Sequence, residues 1–173
     1  FMVSCRDADD IIRENDKYSM FYRQSDGGIT FSGGEGTSQF DMLDYLSSAF
    51  YDMGYDLAIE TCGQFDFDKL KPVLERMNLI FMDIKHMDDD KHIEFTGASN
   101  KQTLANASRL KELQADVVIR IPVIGGFNDT AENIRSTAKF VHDNIPAASM
   151  ELLPYHKLGN IKYEAIGMHA PAD

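Results

Sequence analysis

Gly27-Gly28-Ile29-Thr30-Phe31-Ser32-Gly33-Gly34-Glu35 is the stretch on which the reading turns. Ile29 to Phe31 is β-branched and aromatic, which predicts a short strand. The strand runs into a loop where Gly33 and Gly34 precede a carboxylate. With no Cβ in the way, those glycines let backbone N–H and C=O groups come close to a bound molecule. A carboxylate fixed beside bare backbone suits a ligand that carries an ammonium. Gly-Gly after a strand also serves as a plain turn, so the loop takes its meaning from what the other strand ends carry.

Working outward, Asp9 to Asn15 predicts a short helix with Ile11 and Ile12 as its apolar contact. After the Gly-Gly-Glu loop, Phe40, Leu43, Leu46, Phe50 and Met53 recur at threes and fours. That is an amphipathic helix opened by Ser38 or Gln39 and ended by Gly54. Leu57 to Thr61 is the second strand, closed by Cys62-Gly63. Asp66 to Met77 is a shorter helix, with Pro72 near enough to its start to be tolerated. Leu79 to Lys85 is the third strand, and its continuous apolar run predicts burial on both faces. Asp88, Asp89 and Asp90 open a short acidic helix that leads to the turn Thr96-Gly97-Ala98-Ser99. Asn100 is expected to cap the next helix, whose core stripe is Leu104, Ala107, Leu110 and Leu113. Val117 to Val123 is the fourth strand. Asp129 and Glu132 form a capping box for a helix from Thr130 to Asp143 that buries Ile134, Ala138 and Val141. Met150 to Leu153 is the fifth strand, broken by Pro154-Tyr155-His156, and from Lys157 on the pattern is loop or tail.

Strands alternating with helices at this spacing imply a parallel sheet with right-handed crossovers. The fold class is α/β, with part of a (βα) barrel as the first expectation and a doubly wound open sheet as the alternative. Five mainly parallel strands are too few to close a barrel. The first βα strand is therefore expected to be missing on the N-terminal side, leaving residues 1–173 as a single incomplete domain.

Composition narrows the function classes. A net charge of −11 argues against nucleic acid and against an anionic membrane surface. No apolar run approaches the ~20 residues of a membrane helix, and the start lacks a signal-peptide pattern. Cys5 and Cys62 are far apart and neither belongs to a CxxC pair. That fits a reducing cytoplasm and excludes a cysteine-only metal site within this chain.

Parallel α/β folds bind ligands at the carboxyl ends of their strands. Those ends carry Glu35, Glu60 with Thr61, Asp83 with Lys85, Arg120 and His156. Asp83 and Lys85 are two apart and face the same side of a strand, and a buried lysine there needs an anionic partner. Singly, each residue also has a structural use: Glu60 and Asp83 in ion pairs, Lys85 in solvent, Arg120 beside an acid, His156 in a loop. Gathered at one sheet edge, the mixed charges suit a zwitterion better than a simple anion. Glu35 and the glycine backbone would take an ammonium; Lys85, Arg120 and His156 would take a carboxylate or ribose hydroxyls. Cys62 and His86 are read as a small buried thiol and a surface imidazole.

With these residues laid out, the chain resembles the glycyl radical enzyme activating enzymes of the radical SAM superfamily. The matching segments are Gly28-Ile29-Thr30-Phe31-Ser32-Gly33-Gly34-Glu35, Glu60-Thr61-Cys62-Gly63, Met82-Asp83-Ile84-Lys85, Thr96-Gly97-Ala98-Ser99-Asn100, Arg120-Ile121-Pro122-Val123 with Asn128-Asp129, and Leu152-Leu153-Pro154-Tyr155-His156. The resemblance implies a partial (βα) barrel of the radical SAM type that binds S-adenosylmethionine. Gly33, Gly34 and Glu35 would hold the methionine ammonium, and Lys85, Arg120 and His156 would surround its carboxylate and ribose. Glu60 and Asp83 would lie beside the cofactor, where some members hold a monovalent cation. It also implies a [4Fe-4S] cluster, an electron donor such as flavodoxin or ferredoxin, and a 5′-deoxyadenosyl radical. That radical takes hydrogen from a backbone glycine of a partner such as pyruvate formate-lyase. The alternatives are another radical SAM branch, such as an anaerobic ribonucleotide reductase activase or a small-molecule enzyme, and a cluster-less nucleoside- or protein-binding domain.

The departures carry expectations too. The family's Cys-x-x-x-Cys-x-x-Cys motif is absent, and Cys5 and Cys62 cannot supply three thiolates. The chain by itself is thus expected to hold no cluster, to be inactive and to bind S-adenosylmethionine weakly. Glu60 stands where many members have aspartate, and Gly36 and Gly125 where proline is common.

Overall fold

The computed structural model describes residues 6–25 and 27–154. Five strands, β1 (Gly28–Phe31), β2 (Asp56–Thr61), β3 (Leu79–Asp83), β4 (Asp116–Val123) and β5 (Ser149–Pro154), form one sheet in the order β1-β2-β3-β4-β5. Every neighbouring pair is parallel, from Ile29 opposite Leu57 to Ile121 opposite Leu152. The helices are α1 (Ala8–Asp16), α2 (Ser19–Gln24), α3 (Phe40–Asp52), α4 (Phe67–Leu74), α5 (Asp89–Thr96), α6 (Lys101–Arg109) and α7 (Ala131–Asn144).

Strand order equal to chain order means that no crossover reverses direction. Right-handed crossovers that all run one way put their helices on one face of the sheet. A doubly wound sheet needs a reversal and is excluded; the architecture is the partial barrel. Burial along the strands agrees. Leu57, Ile59, Ile80, Met82, Val117 and Ile119 are buried in one core with Leu43, Leu46 and Phe50 of α3, Leu70, Val73 and Leu74 of α4, and Val141 of α7. The alternate positions Ala58, Glu60, Phe81, Asp83, Val118 and Arg120 lie half-buried on the opposite face. The β3 run, apolar from Leu79 to Met82, therefore alternates in burial instead of being covered equally on both sides, because among the described residues helices pack against one face.

Gly28 is required by the sheet. A Cβ there would lie 1.9 Å from the carbonyl oxygen of Asp56, its partner on β2. Gly54 follows α3 with φ +78°, the left-handed conformation expected of a terminating glycine.

Several local expectations shift. A second short helix, α2, precedes β1; α1 begins one residue earlier than its pattern, with Asp7 as its cap. Asp66 is the cap of α4, accepting from the Lys69 amide, and the helix ends at Leu74, two residues past Pro72. Pro72 thus sits inside the helix, where its missing N–H weakens the ladder and shortens it. The cap of α7 is Thr130, which accepts from the Asn133 amide, in place of Asp129. That helix buries Asn133, Thr137 and Val141, leaving Ile134 and Ala138 only partly covered. Asn100 occupies the position before α6 but makes no side-chain cap; its amide group is spent elsewhere. Cys5, His156 and the segment from Lys157 fall outside the described residues.

Candidate functional site

The carboxyl ends of β2, β3 and β4 bring four charges into one chain of contacts. Arg120 donates from Nε to Asp83 Oδ1 at 3.1 Å and reaches Glu60 Oε1 from Nη1 at 3.2 Å. Lys85 Nζ stands 3.7 Å from Asp83 Oδ2. Register explains the grouping: Asp83 is the β3 partner of Arg120, and Glu60 pairs with Phe81, one pleat further back. The Arg120 guanidinium also lies over the Phe81 ring, 5.0 Å from its centroid. Burial works against the guanidinium's charge, but Glu60 and Asp83 outweigh it and push its pKa up. The quartet is neutral in sum, two anions against two cations. Its outer members, Glu60 at 39% and Lys85 at 31% side-chain exposure, are the ones open to a ligand.

Glu35 is held differently. Its Oε1 accepts from the Thr37 amide at 3.3 Å, the Thr37 hydroxyl at 2.8 Å and the Thr61 hydroxyl at 2.9 Å. Its Oε2 accepts from the Cys62 amide at 2.8 Å. Burial alone would raise the pKa of this carboxyl, yet the donors on Cys62, Thr37 and Thr61 hold it below its ordinary value. The carboxylate thereby ties the Gly33-Gly34 loop to the end of β2. Gly33 has φ +120°, and neither Gly33 nor Gly34 has an atom within 4 Å of the place a Cβ would occupy. Both glycines are exposed.

Cys62 links the two groups. Its thiol is raised in pKa, first by burial and next by Glu35, while the charge of Lys85 acts the other way. His86 is not a surface imidazole: it is buried, with Nδ1 accepting from the Asp88 amide at 2.9 Å and its ring 5.4 Å from that of Phe127.

Residues to which the sequence assigned no role at the site hold its loops in place. After β2, Asn106 Nδ2 donates to the carbonyls of Gly63 and Phe65, and the Thr103 hydroxyl donates to that of Cys62. After β3, Asn100 Nδ2 donates to the carbonyls of His86 and Met87, Asn128 Nδ2 to Lys85, and Asn133 Oδ1 accepts from the Met87 amide. All four asparagines are buried. Asn106 recurs on the buried face of α6 where a stripe analysis looks for leucine, so its periodicity is right but its chemistry is not. Asn128 and Asn100 stand within matched motifs, yet only the fold shows which carbonyls they reach.

The donor set fits a zwitterionic ligand: open glycine backbone, exposed anion and exposed cation at one rim. It does not fit an iron–sulfur cluster. Thiolates hold such clusters, the chain has two cysteines, and the described residues contain no group of three His, Cys, Asp or Glu arranged for a metal. Among the described residues no helix is long and apolar enough to cross a membrane.

No family model matches the chain. The isethionate sulfite-lyase activating enzyme of Oleidesulfovibrio alaskensis is 37% identical over 168 residues, which is 96% of this chain and 54% of that protein. The trans-4-hydroxy-L-proline dehydratase activating enzyme of Clostridioides difficile is 40% identical over 161 residues, 91% of this chain and 53% of that protein. The crystal structure of a domain of pyruvate-formate lyase-activating enzyme from Bacteroides vulgatus superimposes with a TM-score of 0.69 at 29% identity, covering 85% of this chain and 86% of that one. The chain spans about half the length of the curated relatives it matches. It is a homologue of the glycyl radical enzyme activating enzymes, and its sheet is that family's partial radical SAM barrel.

Proposed function

We propose that residues 1–173 form a single, incomplete radical SAM core domain that holds S-adenosylmethionine for an activating enzyme acting on a glycyl radical protein. The observation that carries this reading is one rim offering both the open Gly33-Gly34 backbone and the Glu60–Arg120–Asp83–Lys85 quartet. S-adenosylmethionine, given an electron from a [4Fe-4S] cluster, supplies the radical that removes hydrogen from a backbone glycine of the partner. The residues of this chain bind and orient. Gly33 and Gly34 offer carbonyls to the methionine ammonium, with Glu35 beside them. Lys85 serves the carboxylate and ribose, backed by Arg120; His156, which lies outside the described residues, is proposed for the same ligand groups. Glu60 and Asp83 hold Arg120 in place, and the second oxygen of Glu60 is left to serve a monovalent cation beside Asp83. The cluster's thiolates come from residues other than these, and the electron donor is a small redox protein such as flavodoxin or ferredoxin. The cysteine usage suits a reducing cytoplasm.

Calorimetric titration of S-adenosylmethionine tests the reading. Weak, saturable binding to the chain is expected, lowered at least ten-fold by Lys85→Met. A wild-type chain that gives no heat, or a variant that binds as well as wild type, would overturn it.

A further inference from the structure

Backbone pairing between β3 and β4 stops at the site rim, and one buried side chain bridges the strands beyond that point. We infer that Asn128 is a positioning residue for Lys85: its amide group stands in for the rungs that Pro122 cannot make and fixes the strand end from which Lys85 reaches the quartet. This rests on the proposed S-adenosylmethionine reading for what Lys85 meets, although the brace itself is a property of the folded chain.

Pairing between β3 and β4 ends with Asp83 opposite Arg120, while β4 stays paired with β5 on to Val123 opposite Pro154. Toward the rim, the last backbone rung between β3 and β4 among the described residues is the Ile84 amide donating to the Arg120 carbonyl at 2.9 Å. Successive residues of a strand turn their backbone groups to alternate neighbours, so Pro122, two beyond Arg120, is the next to face β3. Proline has no N–H to give, and the ladder stops. Lys85, two residues past Asp83, stands at that gap.

Asn128, fully buried, fills the gap. Its Nδ2 donates to the carbonyls of Lys85 and Pro122, each at 2.8 Å, and its Oδ1 accepts from the Ile124 amide at 2.7 Å. A side-chain amide has two donor protons and one acceptor oxygen. Here both protons and the oxygen are used, which sets the end of the amide that faces β3. The residue is seated on α7 in turn, by Asn133 Nδ2 donating to its carbonyl at 3.2 Å. Shaping its own loop would need only the bond to Ile124; the two bonds to carbonyls are what tie the main chain of Lys85 to β4. The Lys85 side chain leaves from that fixed point and reaches Asp83 at 3.7 Å. An ammonium on a flexible four-carbon stem is placed no better than the backbone that carries it.

Two substitutions of graded severity test the brace. Asn128→Asp keeps the shape and the oxygen for the Ile124 amide but has no proton for either carbonyl. Asn128→Ser is milder and leaves one hydroxyl donor. S-adenosylmethionine affinity is measured by NMR titration, with Lys85 in place and in the Lys85→Met background, on chains that circular dichroism shows to be folded. Two readouts need no ligand: acetylation of Lys85 by acetic anhydride, followed by mass spectrometry against exposed Lys101, and amide hydrogen exchange at Ile124. With Lys85 in place, Asn128→Asp should weaken binding about ten-fold and Asn128→Ser about three-fold. Neither should change the residual affinity of Lys85→Met by more than about two-fold, because the brace acts through the lysine. Lys85 acetylation should rise about three-fold or more in Asn128→Asp. An equal loss of affinity in both backgrounds means a general loosening of the rim and overturns the positioning role, as does an Asn128→Asp affinity equal to wild type. A wild-type chain that ignores S-adenosylmethionine sinks the functional reading alone; acetylation then decides the brace, and a Lys85 rate unchanged in Asn128→Asp refutes it. Should neither variant fold, exchange in the wild-type chain decides: a protected Ile124 amide supports the seated Asn128, and a freely exchanging one refutes it.

Discussion

Helices α3 and α6 lie against the same sheet but are attached by different chemistry. The α3 face is Leu43, Leu46 and Phe50, packed on Leu57 and Ile59. The first two turns of α6 instead present Thr103 and Asn106, and each bonds to a carbonyl in the loop after β2. Apolar contact is non-directional: it sets how tightly a helix sits but leaves the neighbouring loop free to choose its conformation. Hydrogen bonds to named carbonyls fix orientation, and a donor lost there leaves a buried acceptor bare. The contrast follows use. Below α3 lies core; below the start of α6 lies the loop that holds Glu35.

The sharpest way to break the comparison is to empty one seat of each kind. Phe50 is 1% exposed, with its ring 5.8 Å from Tyr55 and 6.5 Å from Phe31. Phe50→Ala should cost about 3–5 kcal/mol of stability by denaturant titration. Below its melting range, the variant should keep its S-adenosylmethionine affinity within about three-fold. A large loss of affinity in protein shown by circular dichroism to be folded would mean that the apolar seat also sets the site.

Asn106→Leu probes the other seat. The branched shape is kept at a somewhat larger volume, but the carbonyls of Gly63 and Phe65 lose their donor. The expected destabilisation is smaller, about 1–3 kcal/mol, while the effect on affinity is larger, on the order of ten-fold. The ranking by stability and the ranking by binding should therefore invert between the two variants. Equal ranking in both measurements would remove the distinction.

Much of this was legible in the sequence, and the limits have physical causes. The five strands, their parallel pairing and the core stripe of α3 follow from periodicity, because burial of apolar surface obeys the helix and strand repeats. Glu60, Asp83, Lys85 and Arg120 could be placed at one rim since strand ends in a parallel sheet converge. What sequence could not supply is partner choice. Asn100 stands where a cap belongs, and its side chain bonds to the loop after β3 instead, with Ser99 Oγ accepting from the Lys101 amide. The carboxylate of Glu35 looked available to a ligand until the donors from Thr37, Thr61 and Cys62 were seen around it. His86 was read as a surface imidazole, yet it is buried in a loop whose carbonyl Asn100 holds.

That burial gives the smallest expected effect and extends the comparison to the loop after β3. Burial, and after it the charge of Lys91, hold the His86 pKa below its ordinary 6.5, while Asp88 pulls the other way. With Nδ1 accepting from the Asp88 amide, protonation would destroy that bond. Above 6.5 the ring is neutral in both folded and unfolded chains, so the contribution is fully present. As pH falls below 6.5 the unfolded chain takes the proton first, and stability declines with a slope of at most one proton until the lower folded pKa is reached. Glu35 acts in a separate window. Its folded pKa lies below the ordinary 4.5, so its contribution is present above 4.5 and is lost as pH falls through the folded value. Denaturation midpoints followed from pH 7.5 to 4 should show a shallow first decline that His86→Gln flattens, and a second, below 4.5, that only Glu35→Gln reduces. A first decline that survives His86→Gln unchanged would place its origin elsewhere and remove His86 from the set of groups whose orientation the asparagine contacts control.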